Sequence, residues 1–442
     1  MSIYHYEQAF GAWDKTSQPM RKAIDRWFAL YYRKEQTEDR DTCQQVAYTV
    51  VSKLMKSIFG EYRADAPEEG TRALLKKLEK TAREAVQLSL IGGESYVKPC
   101  VEENTLTFRV IPRDQVLIFG RNLHGEPVDV GTAERLTDGN FYYTLLERRI
   151  LDPEGRLTVH NRLYRSRSPR DLGAVTSLKS HPLCKALPES YRYPEKMDSV
   201  GLVTLKTPIL NCIDGSSDGV SVYAAAEGLI RNIDQNEAML CGEFSRGKSR
   251  VFASEDLLKK GPQGAFSLED SLFVGLDDAP DQVGLTIFSP QLRHEAYLER
   301  KQEYLRNVET VVGLKRGMLS DANVEDRTAT EIASSAGEFH LTVLSFQKMW
   351  QEAAEKILEL SVALGKAHGV NVPEDVSFSV DWGNGVLYDE EKQWENYMQM
   401  VSAGILRPEV ALGWRFGMPC RTEEEEEIIR KRLMPKETVG LG

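Results

Sequence analysis

The chain has 442 residues, 41% of them hydrophobic and 28% charged, which is ample for a core and ordinary for a globular surface, in two or three domains by length. Its net charge of −11 at pH 7 excludes a protein that grips nucleic-acid phosphates in the usual basic manner; if it meets DNA, it should not hold it tightly. No window approaches eighteen consecutive apolar residues, so no membrane span is expected, and the opening MSIYHYEQAFGAWDKTSQ carries no basic-then-apolar signal.

Taken in chain order, residues 20–33 place Ile24, Trp27, Phe28 and Tyr31 on one face of a helix, residues 43–59 form a second, and residues 71–90 a third. Asp65-Ala66-Pro67 breaks the last two. From 94 to 210 the pattern switches to period two with turn signals such as Asp152-Pro153-Glu154-Gly155, which predicts antiparallel sheet. Residues 218–244 read as a helix capped by Ser217 or Asp218, residues 251–289 as short strands and turns, and residues 291–312 as a second helix. A polar loop with Lys315 and Arg316, flanked by Gly313 and Gly317, leads to an almost unbroken helix over 327–368, roughly 60 Å long at 1.5 Å per residue.

That helix carries one apolar stripe: Ile332, Ala336, Phe339, Val343, Phe346, Trp350, Ala353, Ile357, Leu360 and Leu364. Its length predicts packing against copies of itself or passage through several layers of an assembly, with Phe339, Phe346 and Trp350 between subunits. The tail holds a short strand at 378–380, helices after Asp389 and Pro408, and a helix over 423–432 whose five leading glutamates read as a solvated start. The fold class expected is α+β.

Two motifs invite enzymatic readings. Gly242 to Ser249 fits the phosphate-cradling G-x-x-x-x-G-K-S, but that chemistry needs a strand before the loop and a helix after it, and here the order is reversed. Gly215-Ser216-Ser217-Asp218-Gly219 matches a nucleophile elbow without an alternating strand–helix series around it, and His294, His340 and His368 fall on or at the ends of helices. The six cysteines and seven histidines show no metal or redox spacing. No enzyme and no cofactor are expected; a P-loop NTPase is the alternative.

Several segments, in order, resemble the portal proteins of tailed double-stranded-DNA bacteriophages, in the family found in long-tailed phages and prophages. They are IDRWFALY at 24–31, KLMKSIFGE at 53–61, IGGESYVKP at 91–99, YYTLLE at 142–147 with VHNRLY at 159–164, DGVSVY at 218–223 with Ile233-Asp234, KSRV at 248–251, and RTATEI at 327–332. The resemblance covers roughly residues 20–430. It implies a ring, usually a dodecamer, at one capsid vertex, through which genomic DNA is packaged and ejected.

By position, the resemblance makes residues 1–217 a wing, 218–246 a first stem helix, 247–290 a clip, 291–313 a second stem helix, 314–326 a channel loop, 327–369 a long wing helix and 370–442 a helical crown. Lys315, Arg316 and Arg327 would face the DNA, and Arg250, Lys259 and Lys260 in the clip would meet terminase or adaptor. The partners implied are the terminase large subunit, a head-tail adaptor, the major capsid and scaffold proteins, and non-specifically bound double-stranded DNA, with no membrane. The protein would be assembled in the bacterial host's cytoplasm and reside in the virion. A mostly acidic channel wall suits a sliding polyanion better than a basic clamp, which would stall it. At 442 residues the chain is short for this family, so crown or clip is expected to be reduced.

Overall fold

A computed structural model describes residues 3–33, 42–102, 105–248, 250–254, 273–276, 286–288, 291–321, 329–383, 390–416, 418, 420 and 422–434. The chain divides into two compact units, Met1–Ile58 with Ala64–Val380, and Phe59–Arg63 with Asp381–Gly442.

In the larger unit the polar opening folds as a 3₁₀ turn and the single-turn helix α1 (Glu7–Phe10). Helix α2 (Gln18–Tyr32) starts where the Ser17 hydroxyl accepts from the Met20 amide, with Pro19 in its first turn. Its apolar face buries Met20, Ile24, Trp27 and Phe28. Helices α3 (Val46–Phe59) and α4 (Glu69–Gly92) follow, separated by the short strand β1 (Arg63–Asp65), so three helices stand where the 3.6-residue periodicity places them.

Strands β2 (Glu94–Glu102) and β3 (Thr105–Pro112) form a hairpin that β10 (Val203–Lys206) extends on the β2 side. The second sheet runs β4 (Val116–Arg121), β5 (Pro127–Asp138), β6 (Phe141–Leu151), β7 (Arg156–Ser166) and β8 (Ala174–Thr176), with β9 (Ser190–Lys196) also on β7. Every pairing in these two sheets is antiparallel, as period-two patterning requires. The face that carries Leu117, Phe119, Ala133, Leu146 and Tyr164 is covered by Ile3 and Tyr6 of the N-terminal turn.

Helices α5 (Glu227–Arg246) and α6 (His294–Val312) make the expected hairpin. Between them β11 (Arg250–Ser254) pairs parallel with β12 (Phe273–Leu276) and antiparallel with β13 (Thr286–Phe288). Helix α7 (Ala329–Ala367) is 39 residues long, and β14 (Ser379–Asp381) follows it.

The smaller unit contains α8 (Glu390–Ser402), α9 (Pro408–Arg415) and α10 (Glu423–Leu433). Thr422 and Glu425 form a capping box at the start of the acidic helix, which satisfies two backbone donors reciprocally. Arg430 pairs with the buried Glu409, the Tyr397 ring meets that of Trp414 at a tilt of 59°, and Ile429 is buried. The α+β class is observed, and none of the helices searched among the described residues is long and apolar enough to cross a membrane.

Two expectations are corrected. The first helix of the hairpin does not begin at 218. Residues 218–223 are non-helical, a 3₁₀ turn covers Ala224–Ala226, and α5 starts at Glu227. Neither Ser217 nor Asp218 caps it. The segment is committed elsewhere: the Gly219 amide donates to Glu94, the Val222 amide and Ser221 hydroxyl donate to the Leu90 carbonyl, and the Tyr223 hydroxyl donates to the Trp27 carbonyl. Gly93, at φ +82°, lies so near that an added Cβ would meet the Gly219 carbonyl at 2.3 Å.

The second correction concerns the long helix. Phe339, Phe346 and Trp350 are 2%, 1% and 0% exposed in the single chain, so they lie inside the subunit and do not form contacts between subunits. The α7 stripe packs on α4, β2, β9 and β10 of the same chain. The side of α7 that faces outward exposes Leu341 and Leu344 instead.

Candidate functional site

The α5–α6 hairpin is fastened at three levels. Near its β11 end Arg293 makes a two-pronged bond to the Glu243 carboxylate at 3.1 and 2.8 Å, and this holds the Glu243 carboxyl below its usual range. Midway, the Asn236 side-chain amide donates to the Tyr297 carbonyl at 3.0 Å. Lys301 then bridges Glu237 at 3.0 Å and Gln44 at 2.7 Å, tying the hairpin to the segment before α3. Besides the buried Glu309 the two helices carry seven carboxylates against five Lys and Arg, so the hairpin surface is acidic on balance.

The loop after α6 is closed by one residue of that helix. Glu309 is 1% exposed. Its Oε1 accepts from the backbone amides of Gly317 (3.1 Å), Leu319 and Ser320 (2.9 Å), and its Oε2 accepts from the Ser320 hydroxyl at 2.8 Å. Gln302 takes the next amide, Asp321, at 2.8 Å. Gly313 and Gly317 adopt φ of +76° and +90°, the left-handed backbone that a tight reversal needs. A Cβ at Gly313 would meet the Thr342 hydroxyl of α7 at 2.6 Å.

Lys315 is half-buried and Arg316 exposed on this closed turn. Arg327, Lys259 and Lys260 lie outside the described residues, and Arg250 is the first residue of β11. Sequence reasoning found the loop and its two cations but not Glu309, one of four glutamates on α6. A buried acceptor has no local signature.

A second feature escaped the sequence. Glu94, Arg113, Arg121 and Asp218 meet beneath the segment that leads to α5. Arg113 lies 3.3 Å from Glu94 and 3.7 Å from Asp218, and Arg121 bonds Asp218 directly. Tyr96 donates its hydroxyl to Glu94 at 2.7 Å. Burial disfavours the charged form of Glu94, but Arg113 and Arg121 hold its carboxyl below the usual range; burial wins for Asp218, which is pushed up. This is a structural lock, because its groups are sealed and already paired.

The enzymatic motifs do not assemble sites. Gly242 to Arg246 form the last turn of α5, Gly247 and Lys248 follow it, and β11 comes next, so helix precedes strand. Ser217 belongs to a loop whose bonds run among Ser17, Asn211, Asp214, Ser216 and Asp218, with no histidine among them. His368 instead contacts the Tyr193 hydroxyl at 3.2 Å.

Compared with protein-family models, the chain matches the one described as phage portal protein, SPP1 Gp6-like, over residues 138–431, from the end of β5 into α10. Compared with curated proteins, it has no match.

Proposed function

The chain belongs to the SPP1 Gp6-like family of phage portal proteins, and from that premise we propose that its subunits close into a ring whose bore carries the genome past the loop held by Glu309. As a portal protein it is a component of the virion capsid and serves DNA packaging. The carrying observation is the family match across 138–431, which contains the α5–α6 hairpin, the loop after it and α7 together.

In this reading α5 and α6 are the stem. Their excess of carboxylates repels the DNA backbone, so the polyanion slides without being gripped. Lys315, Arg316 and Arg327, repeated around a dodecamer, make brief, salt-screened contacts with passing phosphates. The β11–β13 region and the segments that flank it, with Arg250, Lys259 and Lys260, serve as the clip that meets the terminase and later a head-tail adaptor. Residues 1–217 and 327–369 form the wing, which faces the capsid and scaffold proteins, and 370–442 the crown. Because Phe339, Phe346 and Trp350 are consumed inside the subunit, the ring interface must use other surface, and the exposed Leu341 and Leu344 of α7 and Met239 and Phe244 of α5 are its best apolar candidates.

Negative-stain imaging of the purified protein, with and without co-expressed scaffold, tests the reading. A ring with a central hole is expected, and particles that never contain one would sink it.

A further inference from the structure

We propose that β7 and the turn after it form a second DNA-contacting surface, separate in sequence and in fold from the loop after α6. Between Arg156 and Arg192 the chain carries eight Lys and Arg against two carboxylates, Asp171 and Glu189, although the protein as a whole is at −11. All eight cations are exposed. This is the reverse of the charge balance on the α5–α6 hairpin.

Four arginines fall within nine residues: Arg162, Arg165, Arg167 and Arg170. Among the described residues none of the four pairs with a carboxylate. Arg162 reaches only the Ala9 carbonyl, at 3.4 Å. Arg165 and Arg167 sit 4.8 and 6.0 Å from the same Phe141 ring, which stacks guanidinium groups without neutralising them. Their neighbours behave differently, since Arg148 pairs with Asp129, Arg149 with Glu147 and Arg192 with Asp152. The chain therefore neutralises the arginines its fold needs and leaves this group unneutralised.

The turn that carries Arg167 and Arg170 is also built. The Ser168 amide donates to the Ser166 hydroxyl at 3.0 Å and the Arg170 amide to the Ser168 hydroxyl at 3.2 Å. β8 then returns along Leu163 to Arg165 of β7, so Arg165, Arg167 and Arg170 are held at one end of the sheet, while Arg162 lies on the opposite face of β7, toward α1. On that opposite face a cleft of about 600 Å³ opens between β7, β8 and α1, lined by Arg148, His160 and Arg162.

Unpaired guanidinium groups fixed at one corner suit a polyanion with closely spaced phosphates. An acidic protein would need an apolar centre to dock, and over this stretch Val175 and Leu183 are the large exposed aliphatics against eight cations. Duplex DNA is the polyanion a packaging protein meets. The contact is non-specific, weak and strongly salt-dependent.

The test is fluorescence anisotropy of a labelled duplex of about 30 base pairs with the purified full-length protein, repeated from low to physiological salt. Each neutralised phosphate contributes about −0.9 to the slope of log affinity against log salt, so three contacts give a slope of roughly −3. Replacing Arg165, Arg167 and Arg170 together by Gln should remove most of that slope, and replacing all three by Lys should keep it. Lys315→Glu with Arg316→Glu removes two other proposed contacts and should lower the slope by about 2 at most, leaving the part due to the β7 arginines. Circular dichroism confirms folding, and Arg167→Gln with Arg170→Gln, both exposed, serves if the triple variant does not fold. A flat salt dependence in the wild type, an unchanged slope in the Gln variants, loss of the slope in the Lys315/Arg316 variant instead, or tighter binding of poly-glutamate than of the duplex would each overturn the assignment. The third result would leave the channel-loop reading standing.

Discussion

Glu309 and Ser320 are joined twice: the Ser320 amide donates to Oε1 of the Glu309 carboxylate at 2.9 Å and its hydroxyl to Oε2 at 2.8 Å. With the Gly317 and Leu319 amides this makes a four-donor nest around one buried carboxylate. The last turn of α6 thereby dictates the shape of the loop that carries Lys315 and Arg316.

Glu309→Ala should leave those four donors without an acceptor, a loss of about 1–3 kcal/mol for a buried unsatisfied group and more for several. Glu309→Gln keeps an oxygen for the three amides and should fall close to wild type. Hydrogen exchange at Gly317, Leu319 and Ser320 reads the difference directly. Slow exchange in the Ala variant would show that the carboxylate does not hold the loop.

Reversing charge at Lys315 and Arg316 should preserve ring assembly and reduce the length of genome packaged or retained. The two side chains are not buried, so the fold tolerates the change. Full-length packaging by confirmed rings of the double variant would mean that this loop does not touch DNA.

Phe346→Glu and Trp350→Glu should unfold the subunit, not merely disperse a ring, because both side chains are sealed inside it. Even Trp350→Ala should cost about 3–5 kcal/mol. A thermal melt of the soluble fraction checks this; a folded, stable monomer from either charged variant would restore these residues to the subunit interface.

Acid should destabilise the larger sheet through Glu147 of β6. Burial disfavours its ionised form, but Arg149 at 2.6 Å and Lys98 at 3.1 Å more than offset that and bring its pKa from the ordinary 4.5 down to about 2. A carboxylate whose folded pKa is depressed stabilises the fold fully above its unfolded value and loses that contribution as pH falls through the folded one. The loss should therefore develop between about pH 4.5 and 2. Glu147→Gln should flatten that part of the stability profile while costing about 3–5 kcal/mol at neutral pH, since Lys98 and Arg149 would remain buried without their partner. Chemical denaturation across pH measures both effects.

Lys248→Ala should leave ATP binding unchanged, with none to lose, because a helix precedes this lysine and β11 follows it. Micromolar ATP binding abolished by the substitution would reopen the nucleotide reading.

By itself the sequence determined the elements and their order. Apolar residues three and four apart specified α2 and α7, and alternation specified β3, β6 and β7, because those periods are properties of the local backbone. The family was legible too, in short segments whose order mattered more than any single match. The tertiary structure alone decided what each face meets. The stripe of Phe346 and Trp350 looks the same in sequence whether a neighbouring subunit or the chain's own β2 and β10 covers it, and it is the latter. Asp218 read as a helix cap until Arg121, nearly a hundred residues earlier in the chain, claimed its carboxylate. Glu309 was one glutamate among four until the fold buried it. Periodicity reports which side of an element is apolar, but the partner of a buried charge is set by distance in space, which a one-dimensional pattern does not contain.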